Sequence, residues 1–261
     1  MNAIRSGWII TQRDLLHWVR QPAGPIFGIA FTVMILLMFA YLFGGAIEIP
    51  GFGDANYVSF LLPGVFALTM LFGLENTMAA MSEDAKRGVT DRFRSMPIAS
   101  SSIVLGRAGA DLIYSALSLA VLIGGGLLIG WRVESGLGPA LLAVALLLWL
   151  RFALLWLGIF LGLTFRGAGA TMAIQVLVWP VGFLSSVFVS PETMPAWLGA
   201  IAQWNPVSVT ATAARELFGN PTGITAGPLA EHSVLLAVLI PAVMTLVFLP
   251  LSARAYRGLG R

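Results

Sequence analysis

Few residues in this chain are of the types that do chemistry, and their spacing argues against catalysis. The single lysine, Lys86, lies between Ala85 and Arg87. A phosphate-gripping P-loop needs lysine after glycine and before serine or threonine, so no such nucleotide site is expected. His17 and His232 are far apart, and neither has a second ligand at helical spacing, which argues against a histidine metal site. Cysteine is absent, excluding thiolate ligands, thiol nucleophiles and disulfides. No serine sits in a nucleophile elbow. The expectation is a chain with no catalytic residue, no metal ligand and no cofactor of its own.

What remains is charge in unusual places. Arg151 interrupts a long apolar run, and Glu75 and Asp111 border two others. A charged side chain at the centre of a bilayer costs about 2.5–3.5 kcal/mol on insertion scales, so Arg151 should face protein or water. Counting rise along the runs puts Glu75 about a turn or two from the depth of Arg151, with Asp111 farther away. Glu75 is therefore the nearer candidate partner. A structural ion pair is one reading, and a substrate or subunit contact is the other. Replacing Arg151 by leucine should be tolerated on insertion, because it removes the costly charge.

A second concentration of charge is the segment 82–107, SEDAKRGVTDRFRSMPIASSSIVLGR. Glu83 and Arg87 are four apart, a stabilising helical pair. Gly88 can end that helix. Val89 to Ser95 can form a second short helix that carries Phe93 between Arg92 and Arg94, and Pro97 stops it. Ser100, Ser101 or Ser102 can cap the next helix. An aromatic ring flanked by cations suits insertion into a partner's groove. A basic loop that only sets membrane orientation would explain the arginines, but not the spacing of Gly88, Phe93 and Pro97.

The elements that hold these residues are set by composition. Of 261 residues, 58% are hydrophobic and 10% charged, against roughly 25% charged in soluble domains. The chain is expected to be an all-α integral membrane protein. Charge-poor runs at 21–47, 55–74, 112–131, 138–165, 167–190 and 233–253 match the roughly 20 apolar residues that cross a bilayer. Backbone groups in lipid must pair within the segment, so these are six transmembrane helices. Residues 1–21 place Ile4, Trp8, Leu15 and Val19 at helical spacing, with Arg5, Arg13 and Arg20 elsewhere on the wheel. This describes an N-terminal interfacial helix; a short helix packed on the bundle or on a partner is the other reading. The same arginines argue against a cleavable signal peptide.

Residues 193–214 are also nearly charge-free, but Pro195, Gln203, Asn205 and Pro206 argue against a seventh span. Two short re-entrant helices at the outer interface are expected, with Trp197 and Trp204 at interfacial depth. With six spans, twelve basic residues fall on one side and two, Arg132 and Arg215, on the other. The basic side should be cytoplasmic and should hold both termini. The net charge of +3 is thereby explained without nucleic-acid binding. Arginine used almost throughout in place of lysine suggests GC-rich coding, so a bacterial cell membrane is the expected location.

Arg87-Gly88-Val89-Thr90-Asp91-Arg92-Phe93, then Met96-Pro97, then Gly106-Arg107, resembles the coupling segment of ABC-2 type transporter permeases. Asp91 stands where that pattern usually has glutamate, and Val89-Thr90 inverts its Thr-Leu order. Residues 188–219, which reach into the outer segment 192–230, are similar too, through Pro191, Met194-Pro195, Trp197-Leu198, Asn205-Pro206 and Arg215. The resemblance covers essentially the whole chain as one transmembrane domain, 1–261, and the daunorubicin-type drug-resistance branch looks closest.

The resemblance implies an exporter permease for a hydrophobic or amphipathic compound. It implies a second permease subunit, in a homodimer or heterodimer, and a separate ABC ATPase subunit that carries ATP and magnesium. Arg87, Gly88, Asp91, Arg92, Phe93, Arg94 and Pro97 would then contact that ATPase. Export of a lipid-linked polysaccharide or another lipid is an alternative, as is a nontransporting membrane scaffold or sensor.

Overall fold

The computed structural model describes residues 8–9, 11–12, 16, 20, 22–43, 57–86, 100–165, 168–225 and 227–258. Regular structure among these residues is entirely helical. Five helices come first: α1 (Ala23–Phe43), α2 (Tyr57–Lys86), α3 (Ser100–Leu128), α4 (Leu137–Thr164) and α5 (Ala168–Phe183). A 3-10 turn at Pro191–Thr193 follows, then α6 (Ala196–Trp204), α7 (Pro206–Phe218), α8 (Pro228–Glu231) and α9 (Ser233–Gly258).

Four helices among the described residues are long and apolar enough to cross a membrane, over Tyr57–Ala85, Gly106–Leu128, Leu137–Thr164 and Ser233–Tyr256. Two shorter apolar helices, Ile26–Leu42 and Met172–Phe183, stand where the first and fifth spans are expected. The chain is a multi-pass membrane protein.

α2 lies at the centre, with 72% of its apolar window buried, and α9 at the rim, with 17% buried. Lipid solvates apolar side chains as well as protein does, so helices in a membrane associate through close packing rather than hydrophobic burial. The α2–α4 contact shows this. A Cβ on Gly162 would stand 2.5 Å from the carbonyl oxygen of Met78, and one on Gly158 would stand 3.0 Å from that of Leu74. Of the glycines at 124–126, only Gly126 faces a neighbour, Leu62 and Trp131.

The structure redraws three boundaries. α2 runs past the expected end at residue 74 to Lys86, and α3 starts at Ser100 rather than 112. Both ends of the 82–107 segment are therefore helical continuations. α5 ends at Phe183, short of residue 190. The backbone beyond it is held by side chains from α7: the Ser186 N–H donates to the Ser208 hydroxyl at 2.8 Å. Residues Ser185, Ser186, Val187 and Ser190 are buried. Non-helical backbone is tolerated at membrane depth where protein encloses it in this way.

At the N-terminus, positions 8, 9, 11, 12, 16 and 20 are helical. The Thr11 hydroxyl donates to the Gly106 carbonyl at 2.7 Å, while Trp8, Ile9 and Leu16 are exposed. The segment thus touches the start of α3 and leaves large apolar side chains facing outward.

Candidate functional site

Three polar features stand out among the described residues of the bundle. The first is built on α7. Asn205 ends α6 and caps α7: its Oδ1 accepts from the Val207 N–H at 2.9 Å, and Pro206 takes the first helical position, where no N–H is needed. Its Nδ2 donates to the Val181 carbonyl at 2.7 Å, tying α7 to α5. At the other end, Gly219 adopts φ 76°, and its N–H closes on the Arg215 and Glu216 carbonyls. Pro195 precedes α6, which presents Trp197, Ile201 and Trp204 as an exposed stripe.

Arg215 is fully buried. Its Nε donates to the Phe60 carbonyl at 2.7 Å, and its Nη2 to the Ser186 and Val187 carbonyls at 2.9 and 3.1 Å. Its Cζ stands 3.7 Å over the Phe60 ring. The Ser186 and Val187 carbonyls lie just past the C-terminus of α5, the negative end of a helix dipole, which suits a cation without a carboxylate. Arg215, expected as a basic residue of the outer side, joins α7, α2 and the segment after α5. Its type and its place in a short helix gave no sign of this.

The second feature centres on Arg151, on α4, which is also fully buried. Its Nη2 pairs with the Asp111 carboxylate and donates to the Thr77 hydroxyl at 2.6 Å. Its Nε donates to the Ser115 hydroxyl at 3.1 Å. The carboxylate that reaches Arg151 is thus Asp111, and not Glu75, the expected partner. Depth and rotation explain the change. Because α3 starts at Ser100, Asp111 stands eleven residues into its helix, about as far as Glu75 stands from the end of α2 at Lys86. Rotation then decides. Gly73 and Thr77, one turn apart, face Arg151, and a Cβ on Gly73 would lie 2.6 Å from Cζ. Glu75, two residues from each, points elsewhere. Thr77, Ser115 and Gly73 were missed; the four-residue spacings 73/77 and 111/115 are the signal that could have found them.

The third feature is a cavity of about 240 Å3 between α1, α2, α3 and α5. Glu75 lines it, with Asn76, Tyr114 and the rings of Phe31, Phe72 and Trp179.

The profile described as ABC-2 type transporter matches residues 5–218. This chain belongs to the ABC-2 type transporter family. It is 34% identical over 252 residues, 94% of this chain and 84% of the relative, to the daunorubicin resistance ABC transporter permease protein DrrB1 of Streptomyces coeruleorubidus. It is also 26% identical over 213 residues, 81% of this chain and 73% of the relative, to ycf38 of Porphyra purpurea, provisionally named a transport permease.

In this ABC-2 permease the matched region takes in α7 and Arg215. The expected coupling residues Arg87, Gly88, Asp91, Arg92, Phe93, Arg94 and Pro97 lie outside the described residues. Their flanks do not: Arg107 at the start of α3 pairs with Asp84 near the end of α2. That pair holds together the two helix ends from which the 87–99 segment departs.

Proposed function

We propose that this chain is the transmembrane subunit of an ATP-driven exporter that moves a hydrophobic or amphipathic compound out of a bacterial cell. The near-full-length similarity to a daunorubicin resistance permease carries this reading. A separate ABC ATPase subunit binds ATP and magnesium, and a second permease subunit, identical or paralogous, completes the pathway. The spans number six, counting α1 and α5. The 82–107 segment is the cytoplasmic coupling loop, residues 1–21 lie in the cytoplasmic interface, and 192–230 form the outer re-entrant segment.

Coupling is tested at Phe93. A buried aromatic anchor is worth about 2 kcal/mol or more on truncation, and an exposed charge pair less than about 1 kcal/mol. Phe93→Ala should weaken ATPase-subunit capture about thirtyfold and abolish ATP-driven uptake into inverted vesicles, while Arg92→Ala has the smaller effect. Wild-type capture and uptake by Phe93→Ala would reduce the loop to orientation-setting charge. Vesicles that contain both subunits and never accumulate an amphipathic drug would refute the exporter reading.

Orientation is tested by single cysteines in this cysteine-free chain. Ser82 is buried, so the exposed neighbour Glu83 is the better position on that side. An impermeant thiol reagent applied to intact cells should label Thr193→Cys and spare Glu83→Cys. The reverse pattern would invert the topology.

A further inference from the structure

Two charges inside the bundle have no partner of opposite sign among the described residues: Arg215, held by backbone carbonyls, and Glu75. Asp111 takes Arg151 and Asp84 takes Arg107. Among the described residues Glu75 has no ion-pair partner, and its Oε1 is buried without a hydrogen-bond donor. Asp111 shows how this fold treats a structural carboxylate, with an arginine and the Thr77 hydroxyl both donating to it. A buried carboxylate oxygen without a donor is costly, and either a proton or a cation relieves it.

The surroundings of Glu75 favour a cation. Glu75 lines the 240 Å3 cavity together with three aromatic rings. Trp179 of α5 packs against Phe72 at 4.8 Å and Phe31 at 6.2 Å between ring centroids. These rings come from three helices, and Trp179 and Phe31 keep more than a third of their surface exposed. Gly28 lets α1 close over the cavity, since a Cβ there would stand 2.9 Å from the Tyr114 hydroxyl. Aromatic faces attract organic ammonium groups, and a carboxylate supplies the counter-charge. Pockets that combine an apolar wall with one placed charge select both shape and sign.

We infer that this cavity is a binding site for a monovalent amphipathic organic cation, held by the Glu75 carboxylate and the Trp179–Phe72–Phe31 wall. The inference rests on the permease reading, because it treats the cavity as a stop on the transport path.

The test uses the full chain, purified in lipid nanodiscs without ATPase. The probe is tetraphenylphosphonium, a permanently charged aromatic cation, with tetraphenylborate and triphenylphosphine oxide as anionic and neutral counterparts. Saturable binding of the cation is expected, about tenfold or more tighter than either counterpart. Glu75→Gln should remove that preference, and Glu75→Asp should keep it. If Glu75→Gln does not fold, Trp179→Leu carries the test, with an expected loss of about fivefold or more. Wild-type cation affinity in Glu75→Gln, or in Trp179→Leu, would overturn the proposal, as would equal binding of all three probes. ATP-driven vesicle uptake with the ATPase present separates the two readings. Selective binding without uptake refutes export and leaves the site standing. Uptake of the cation that Glu75→Gln does not change refutes the site and leaves export standing.

Discussion

Replacing Arg151 with leucine is expected to destabilise the folded protein more than replacing Arg151 and Asp111 together. Arg151→Leu strands the Asp111 carboxylate in the bundle and leaves the Ser115 hydroxyl without its donor. Removing one member of a buried pair costs about 3–5 kcal/mol, while replacing both with apolar residues is often close to neutral. The single variant should insert readily, because the lone guanidinium is the costly group during insertion. It should then fold poorly. Thermal unfolding in detergent separates the two effects. Arg151→Leu and Asp111→Leu should each melt well below wild type, and the double variant should recover most of the loss. A double variant as unstable as either single would show that hydroxyls and packing, rather than the ion pair, hold α2, α3 and α4 together.

Arg215→Met should be comparably damaging, by a different route. No opposite charge is stranded. Instead, the Ser186 and Val187 carbonyls lose the buried guanidinium as donor, and the Phe60 carbonyl keeps only its helical partner. An unsatisfied buried acceptor costs about 1–3 kcal/mol, so a total on the order of 3–5 kcal/mol is expected. Lysine should not rescue the fold. Its compact ammonium cannot reach the Phe60 carbonyl on one side and the two carbonyls after α5 on the other, as the planar guanidinium does. Monodisperse yield and melting temperature are the readouts. Arg215→Lys should fall with Arg215→Met. Wild-type stability in either would mean that α7 is held by its apolar contacts alone.

Both variants lie where sequence and tertiary structure divide the work. Composition alone established a helical membrane protein, since 10% charge cannot cover a water-facing surface. Run length placed the four helices among the described residues that are long enough to span, because bilayer thickness sets how many apolar residues a helix needs. The break at Asn205-Pro206 was equally legible, and in the structure the same pair caps α7. So was the need of Arg151 for a partner inside the bundle.

The identity of that partner was not legible. Distance along a helix can be counted from sequence once its start is known, but rotation about the axis is decided by how helices pack. Gly73 turns one face of α2 onto Arg151 and so turns Glu75 away. The burial of Arg215 was hidden for a related reason. A sequence assigns a charge to one side of the membrane, whereas a buried cation needs backbone carbonyls gathered from separate helices, here α2 and the end of α5. Local chemistry decided which runs become helices and where Asn205-Pro206 interrupts them, and only mutual packing decided which charges would meet.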